Sequence, residues 1–76
     1  MTTTPQVHLQ WAMDPLDGAW AEWGSFEAVV RPNGRGGFSY TVTREESRIA
    51  AGVVSTEERA RWAAERAVQV EIAREP

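Results

Sequence analysis

Residues 26–42, Phe-Glu-Ala-Val-Val-Arg-Pro-Asn-Gly-Arg-Gly-Gly-Phe-Ser-Tyr-Thr-Val, constrain the fold more than any other stretch of the chain. Phe38, Tyr40 and Val42 alternate with Ser39, Thr41 and Thr43, the period-two pattern of a strand with one dry face and one wet face. Phe26, Ala28 and Val30 repeat that parity on the preceding arm, and Asn33-Gly34 supplies residues that readily take positive φ. The pattern predicts a β-hairpin whose Phe38, Tyr40 and Val42 are buried together with Ala64, the Tyr40 hydroxyl remaining at the sheet edge.

A chain of 76 residues has room for one domain with a thin core. Four tryptophans, two phenylalanines and one tyrosine partly offset this, since an enclosed aromatic buries roughly 150–250 Å². The absence of cysteine excludes disulfides, thiolate metal sites and thiol catalysis together. The net charge of −3 comes from eleven acidic and eight basic residues, and every basic residue is arginine. Lysine's absence reads either as a GC-rich codon bias or as a need for planar, bidentate donors. A mildly acidic domain is in any case a poor general binder of polyanions. Residues 1–6 carry neither a charged leader nor an apolar run and are expected to form a flexible leader to a domain at 7–76. No stretch reaches membrane-spanning length, so a cytoplasmic location is expected.

Val7, Leu9 and Trp11 alternate with His8 and Gln10, which predicts a first strand with His8 on the wet side. Asp14-Pro15-Leu16-Asp17-Gly18 then reads as a turn. His8 is the only histidine, and Asp14, Asp17 and Glu22 match no calcium-loop spacing, so no metal site is expected. Trp20 shares the phase of Phe26 whereas Trp23 has the opposite phase. A bulge at Gly24 brings Trp23 to the dry face; without one it stands on the open face as an aromatic anchor for a partner.

The loop Arg31-Pro32-Asn33-Gly34-Arg35-Gly36-Gly37 joins two strands, whereas phosphate loops join a strand to a helix, so it reads as a hairpin tip. Beyond the charged turn at 43–48, Ile49, Ala51 and Val53 are expected to face the core, with Gly52 on the wet side. Ser55 with Glu58 reads as a capping box that opens a helix. Neither glycine nor proline interrupts the chain from Thr56 to Arg74. The inner stripe of the helix is Ala60, Ala63, Ala64 and Ala67 with Val68, and Glu57 with Arg61 makes an acid-first surface pair. The alternation in 68–72 also fits a terminal strand, but nothing after Ala67 breaks the helix. Trp62 lies nearly opposite the alanines, close to Arg66 and Gln69. It is covered by the amino-terminal segment, covered by a stacked arginine, or open to a partner.

The expected fold is α+β: an antiparallel sheet of three to four strands in sequential order, at about 7–12, 20–31, 37–44 and 48–54, with one helix at 56–73 on one face. Residues 26–67 resemble the three-strand-plus-helix DNA-binding domain of ethylene-response transcription factors and the arm-binding domains of tyrosine integrases. There a strand ends in glycine before a Thr-x-Glu-Glu-Ala helix start, comparable here to Gly52 and Ser55 through Ala60. The resemblance implies sequence-specific DNA binding by the exposed sheet face, with Arg31, Arg35, Arg44 and Arg48 as the contacting residues. The wet face of the hairpin itself carries Glu27, Val29, Arg31, Ser39, Thr41 and Thr43, a single arginine among them. The lysine-free, tryptophan-bearing chain is also similar to small accessory proteins of actinobacterial phages and mobile elements, which implies a host-interaction role.

No nucleophile with a base, no metal cluster and no cofactor loop stands out, while tryptophan exceeds what a thin core readily encloses. The reading is therefore a nonenzymatic protein-interaction module, an accessory, inhibitor or adaptor protein. It uses no cofactor, metal or small-molecule substrate and docks a protein partner or a second copy through Trp62, Arg66, Gln69 and Trp23.

Overall fold

Six elements follow one another among the described residues: β1 (Ala12–Asp14), β2 (Gly18–Trp23), β3 (Phe26–Pro32), β4 (Phe38–Arg44), β5 (Ser47–Val54) and α1 (Glu57–Arg74). The computed structural model describes residues 7–14 and 18–74; the expected leader at 1–6, and Pro15 to Asp17 of the first turn, lie outside them. The strands form one antiparallel sheet in the order β1-β2-β3-β4-β5, and α1 lies across one face over β3, β4 and β5. The class is α+β with one carboxy-terminal helix, but the sheet has five strands where three to four were expected.

The fifth strand arises at Gly24. No bulge forms there; Gly24 and Ser25 make a two-residue turn closed by the pair Trp23↔Phe26, with Gly24 at φ 56. A glycine with positive φ at the first central position suits the twist of a hairpin. The expected single strand at 20–31 is thus two strands. Because cross-strand partners share a face, Trp23 joins Phe26 on the helix side and Trp20 stands opposite, on the open face.

The phase of the central hairpin is as expected, with Ala28↔Val42 and Val30↔Tyr40 facing α1. Val30 and Val42 are fully buried and Phe26 nearly so, whereas Phe38 and Tyr40 are half-buried. Its loop spans residues 33–37, where the Asn33 side-chain oxygen accepts the backbone N–H groups of Arg35 and Gly37.

Beyond β4 the phase departs from expectation. A register shift between Val42 and Thr43 leaves Ile49 as an extra residue, so Ala50, Gly52 and Val54 pair with the inward-facing Val42, Tyr40 and Phe38. Ala51 and Val53 are therefore exposed on the open face, and only Ile49 of the expected trio packs on the core. Gly52 is an inner residue, where an added Cβ would sit 2.7 Å from the Tyr40 hydroxyl oxygen. It makes room for the ring.

The turn from β4 to β5 holds two glutamates at positive φ, Glu45 at 50° and Glu46 at 71°. Both central residues of a two-residue hairpin turn take this conformation most readily as Asn-Gly, and a side chain there costs about 1–2 kcal/mol per residue. Replacing Glu45-Glu46 by Asn-Gly is expected to stabilise the domain by about 1–2 kcal/mol. Thermal unfolding followed by circular dichroism should show the midpoint rising by roughly 4–8 °C per kcal/mol.

The helix begins one residue later than the expected capping box. Thr56 Oγ1 accepts the N–H of Arg59 at 3.1 Å, and the Thr56 carbonyl accepts from Ala60. Thr56 therefore caps α1, in place of Ser55 with Glu58. Ala60, Ala64 and Val68 are its buried residues, with Ala63 and Ala67 half-buried on one flank. Alanine on the helix meets Ala19, Ala21 and Ala28 on the sheet, which lets the two layers approach closely. Glu57 Oε1 and Arg61 Nε are buried without hydrogen-bond partners, so the expected pair is not made through these atoms.

Residues 7–11 are not the strand expected at 7–12. Their alternation is real, with Val7 and Leu9 buried and His8 exposed, but the surface they cover is α1. Gln69 Oε1 accepts the Val7 N–H at 2.8 Å and Glu65 Oε2 accepts the Leu9 N–H at 3.1 Å. Two extended residues advance about 6.6 Å and four helical residues about 6.0 Å, so alternate strap amides match helix positions four apart.

Candidate functional site

The crest of α1 is built by that strap on one side and by β5 on the other. Taking Ala64 as the direction of the sheet and about 100° per residue, Glu65 and Gln69 fall on the strap side. Ala63, Ala67 and Val70 fall on the β5 side, leaving Trp62 and Arg66 on top. Trp62 is 61% exposed despite its size, and the Arg66 guanidinium carbon lies 5.7 Å from the centre of its ring. An arginine four residues on, stacked over an indole face, holds the ring upright by a cation–π contact. Of the three states expected for Trp62, the stacked arginine is present, but it leaves most of the indole in solvent.

Trp62 borders a depression of about 330 Å³ toward Trp11, Glu58, Arg61 and Glu65, and two more flank the ring toward the strap and the sheet. One, of about 320 Å³, lies between strap and helix and is lined by His8, Trp62, Glu65, Arg66 and Gln69. The other, of about 360 Å³, lies between the helix and β5, with Tyr40, Ile49 and Ala50 as its floor and Ala67 and Val70 on its wall. Val7 also lines the first, and Arg66, Glu71 and Arg74 rim the second, so Trp62 stands between two grooves of mixed character. Gln69 has a structural task here, since its side-chain oxygen holds the strap. Trp23, the fourth residue expected in the site, is half-buried on the inner face of β2 and packs on the core cluster of Phe26 and Val68.

The four arginines considered for nucleic acid do not form one surface. Arg44 stacks over Phe26, 5.0 Å from the ring centre, and its Nε donates to Ser25 Oγ at 3.2 Å. Arg35 sits at the exposed hairpin tip. Arg31 and Arg48 stand on the open face in different rows, Arg48 in the row Glu22↔Glu27↔Thr43↔Arg48 and Arg31 beside Ser39. Glu22 and Glu27, directly opposite, place two negative charges between the strands. They line, with Trp20, Val29 and Arg31, a depression of about 370 Å³.

Trp20 and Val53 on the open face, Met13 on β1 and Val70 on α1 are large exposed apolar groups that sequence reasoning missed. Val70 had a signal in the sequence, its place eight residues after Trp62 on the outer half of the helix. Among the described residues no three histidine or acidic side chains gather to hold a metal ion. Among the described residues no helix is long and apolar enough to cross a membrane. Comparison with known proteins returned no match: no family model fits the chain, and neither a curated protein nor a solved structure is similar to it.

Proposed function

We propose that the chain is a small nonenzymatic protein-interaction module that docks a protein surface through the crest of α1, with Trp62 as its anchor. The observation that carries this reading is a stacked but open indole, 61% exposed, standing among shallow grooves lined by both apolar and charged side chains. Tryptophan and arginine dominate interface hot spots, and an aromatic held in one orientation loses little freedom on binding. The fold does not need the ring in the core, because Ala60, Ala64 and Val68 already fill the helix–sheet contact.

Trp62→Ala is expected to leave the melting temperature within about 4 °C of the parent, as for a surface change worth about 0.5 kcal/mol. The same substitution should weaken self-association, or capture of a partner, by about 30-fold, the effect of losing a hot spot of about 2 kcal/mol. Unfolding of the variant would make Trp62 a structural residue. Unchanged stability together with unchanged association would remove the docking role.

Sequence-specific DNA binding is the competing reading. The acids Glu22 and Glu27 in the same cross-strand row as Arg48, and the stacking of Arg44 on Phe26, leave few cations on the open face to neutralise phosphates. Titration into duplex DNA at low and moderate salt separates the two, and tight binding that falls steeply with salt would replace the docking proposal.

A further inference from the structure

The sheet has two edges, and they are built differently. β1 is three residues long, short enough to offer little to another strand. β5 is eight residues long, contains no proline, and carries one charged side chain, Arg48 near its start. Its single irregularity, the bulge at Ile49, leaves residues 50–54 regular. Among the described residues the outward backbone groups of β5 have no backbone partner. Long exposed edges are usually blunted by charge, proline or a covering segment, and residues 50–54 have none of these.

We propose that β5 pairs antiparallel with β5 of a second copy about a two-fold axis near Ala51, giving one ten-stranded sheet with both helices on the same face. This deepens the docking reading and rests on it in part, because it names what enters the groove beside Val70. Two features select a second copy over a lone peptide strand. The first is the small centre of the strand, Ala50-Ala51-Gly52, which lets two identical edges meet without large side chains colliding across the axis.

The second is spacing. α1 is centred over β4, so joining the β5 edges sets the two helices three strand spacings apart, about 14 Å. Helices in direct contact lie about 8–10 Å apart. The valley between them needs filling from its walls, and Val70, 44% exposed, with Trp62 at the rim supplies apolar groups there from each copy. A lone strand would occupy the edge and leave this wall bare.

The two-fold also runs the two helices antiparallel. The helix dipoles are then also antiparallel.

Sedimentation of the full chain over a wide concentration range, with amide hydrogen exchange read at low and high concentration, tests the pairing. The parent protein should sediment at twice the chain mass when concentrated, with slowed exchange at alternate amides of β5. Ala51→Lys places two like charges opposite each other at the axis on an exposed position, so it should weaken dimerisation about tenfold or more while the monomer melts like the parent. A chain that is monomeric even at about 1 mM overturns the pairing. So does a dimer that Ala51→Lys leaves intact. If Trp62→Ala breaks that surviving dimer, crest docking stands and edge pairing falls; if Ala51→Lys dissociates the dimer and Trp62→Ala does not, edge pairing stands and the crest loses its role.

Discussion

Phe26→Ala is expected to destabilise the domain by about 3–5 kcal/mol, the usual loss when a buried phenyl ring is truncated. At roughly 0.05–0.15 kcal/mol per residue, 76 residues give a total stability of about 4–11 kcal/mol, so the change removes a large share of it. Phe26 is 5% exposed and is the largest member of the main core cluster, whose other buried residues are valines, alanines and Leu9. The larger neighbours packed against the cluster, Trp23 and Tyr40 among them, are fixed on their own strands. Arg44 also loses the ring over which it stacks. Phe38→Ala should cost less, because Phe38 is half-buried at the end of the sheet. Urea unfolding of the two variants side by side gives the order, and a Phe26→Ala midpoint equal to that of the parent would refute the assigned core.

Gly18→Ala is expected to be comparably damaging for a different reason. Gly18 opens β2 at φ 98, and a Cβ added there would lie 2.0 Å from the Val30 carbonyl oxygen and 3.1 Å from the Arg31 Cα. Both obstacles are backbone, so no rotamer change relieves the clash. The start of β2 must move away from β3, disturbing the attachment of β1 and the burial of Ala19 against Val30 and Ala60. Strained backbone and overpacking together cost about 2–4 kcal/mol. Gly24→Ala is the contrast: its Cβ would meet nothing within 4 Å. It should lose only the cost of a non-glycine at positive φ, about 1–2 kcal/mol. Equal midpoints for the two variants in chemical denaturation would contradict the close approach at Gly18.

What the sequence revealed followed local pattern, and what it hid depended on partners distant in the chain. The β3–β4 hairpin was legible because Phe38, Tyr40 and Val42 alternate without interruption and their partners Ala28 and Val30 keep the same parity. The helix was legible to within a residue at its carboxy-terminal end, and its long uninterrupted pattern correctly outweighed the alternation at 68–72. The β2–β3 turn was hidden because one glycine serves equally for a bulge and for a two-residue turn. The conflict of phase between Trp20 and Trp23 was its trace, since residues flanking such a turn share a face.

The phase of β5 was lost at Ile49, where no glycine or proline marks the bulge, and where Ala50 and Ala51, which follow it, carry little polarity to fix a face. The strap was read as a strand because an extended segment on a helix buries alternate residues just as one in a sheet does. Only its hydrogen-bond acceptors differ, and those are Glu65 and Gln69, more than fifty residues away. For the site, Trp62 and Arg66 could be placed from helical spacing alone. The groove beside them, and the free edge of β5, required the strand order.

The claim that the outer face of α1 docks a protein while its inner face holds the fold is tested most directly at the Trp62 indole. In a nitrogen-15 correlation spectrum of the full chain, its side-chain N–H can be assigned by comparison with Trp62→Ala. As the protein is concentrated, or as a partner captured in a Trp62-dependent manner is added, this resonance should shift or broaden and its exchange with water should slow. The indole signal of Trp23, packed on the core, should hold its position. A Trp62 signal that stays fixed and fast-exchanging while the complex demonstrably forms would contradict the account.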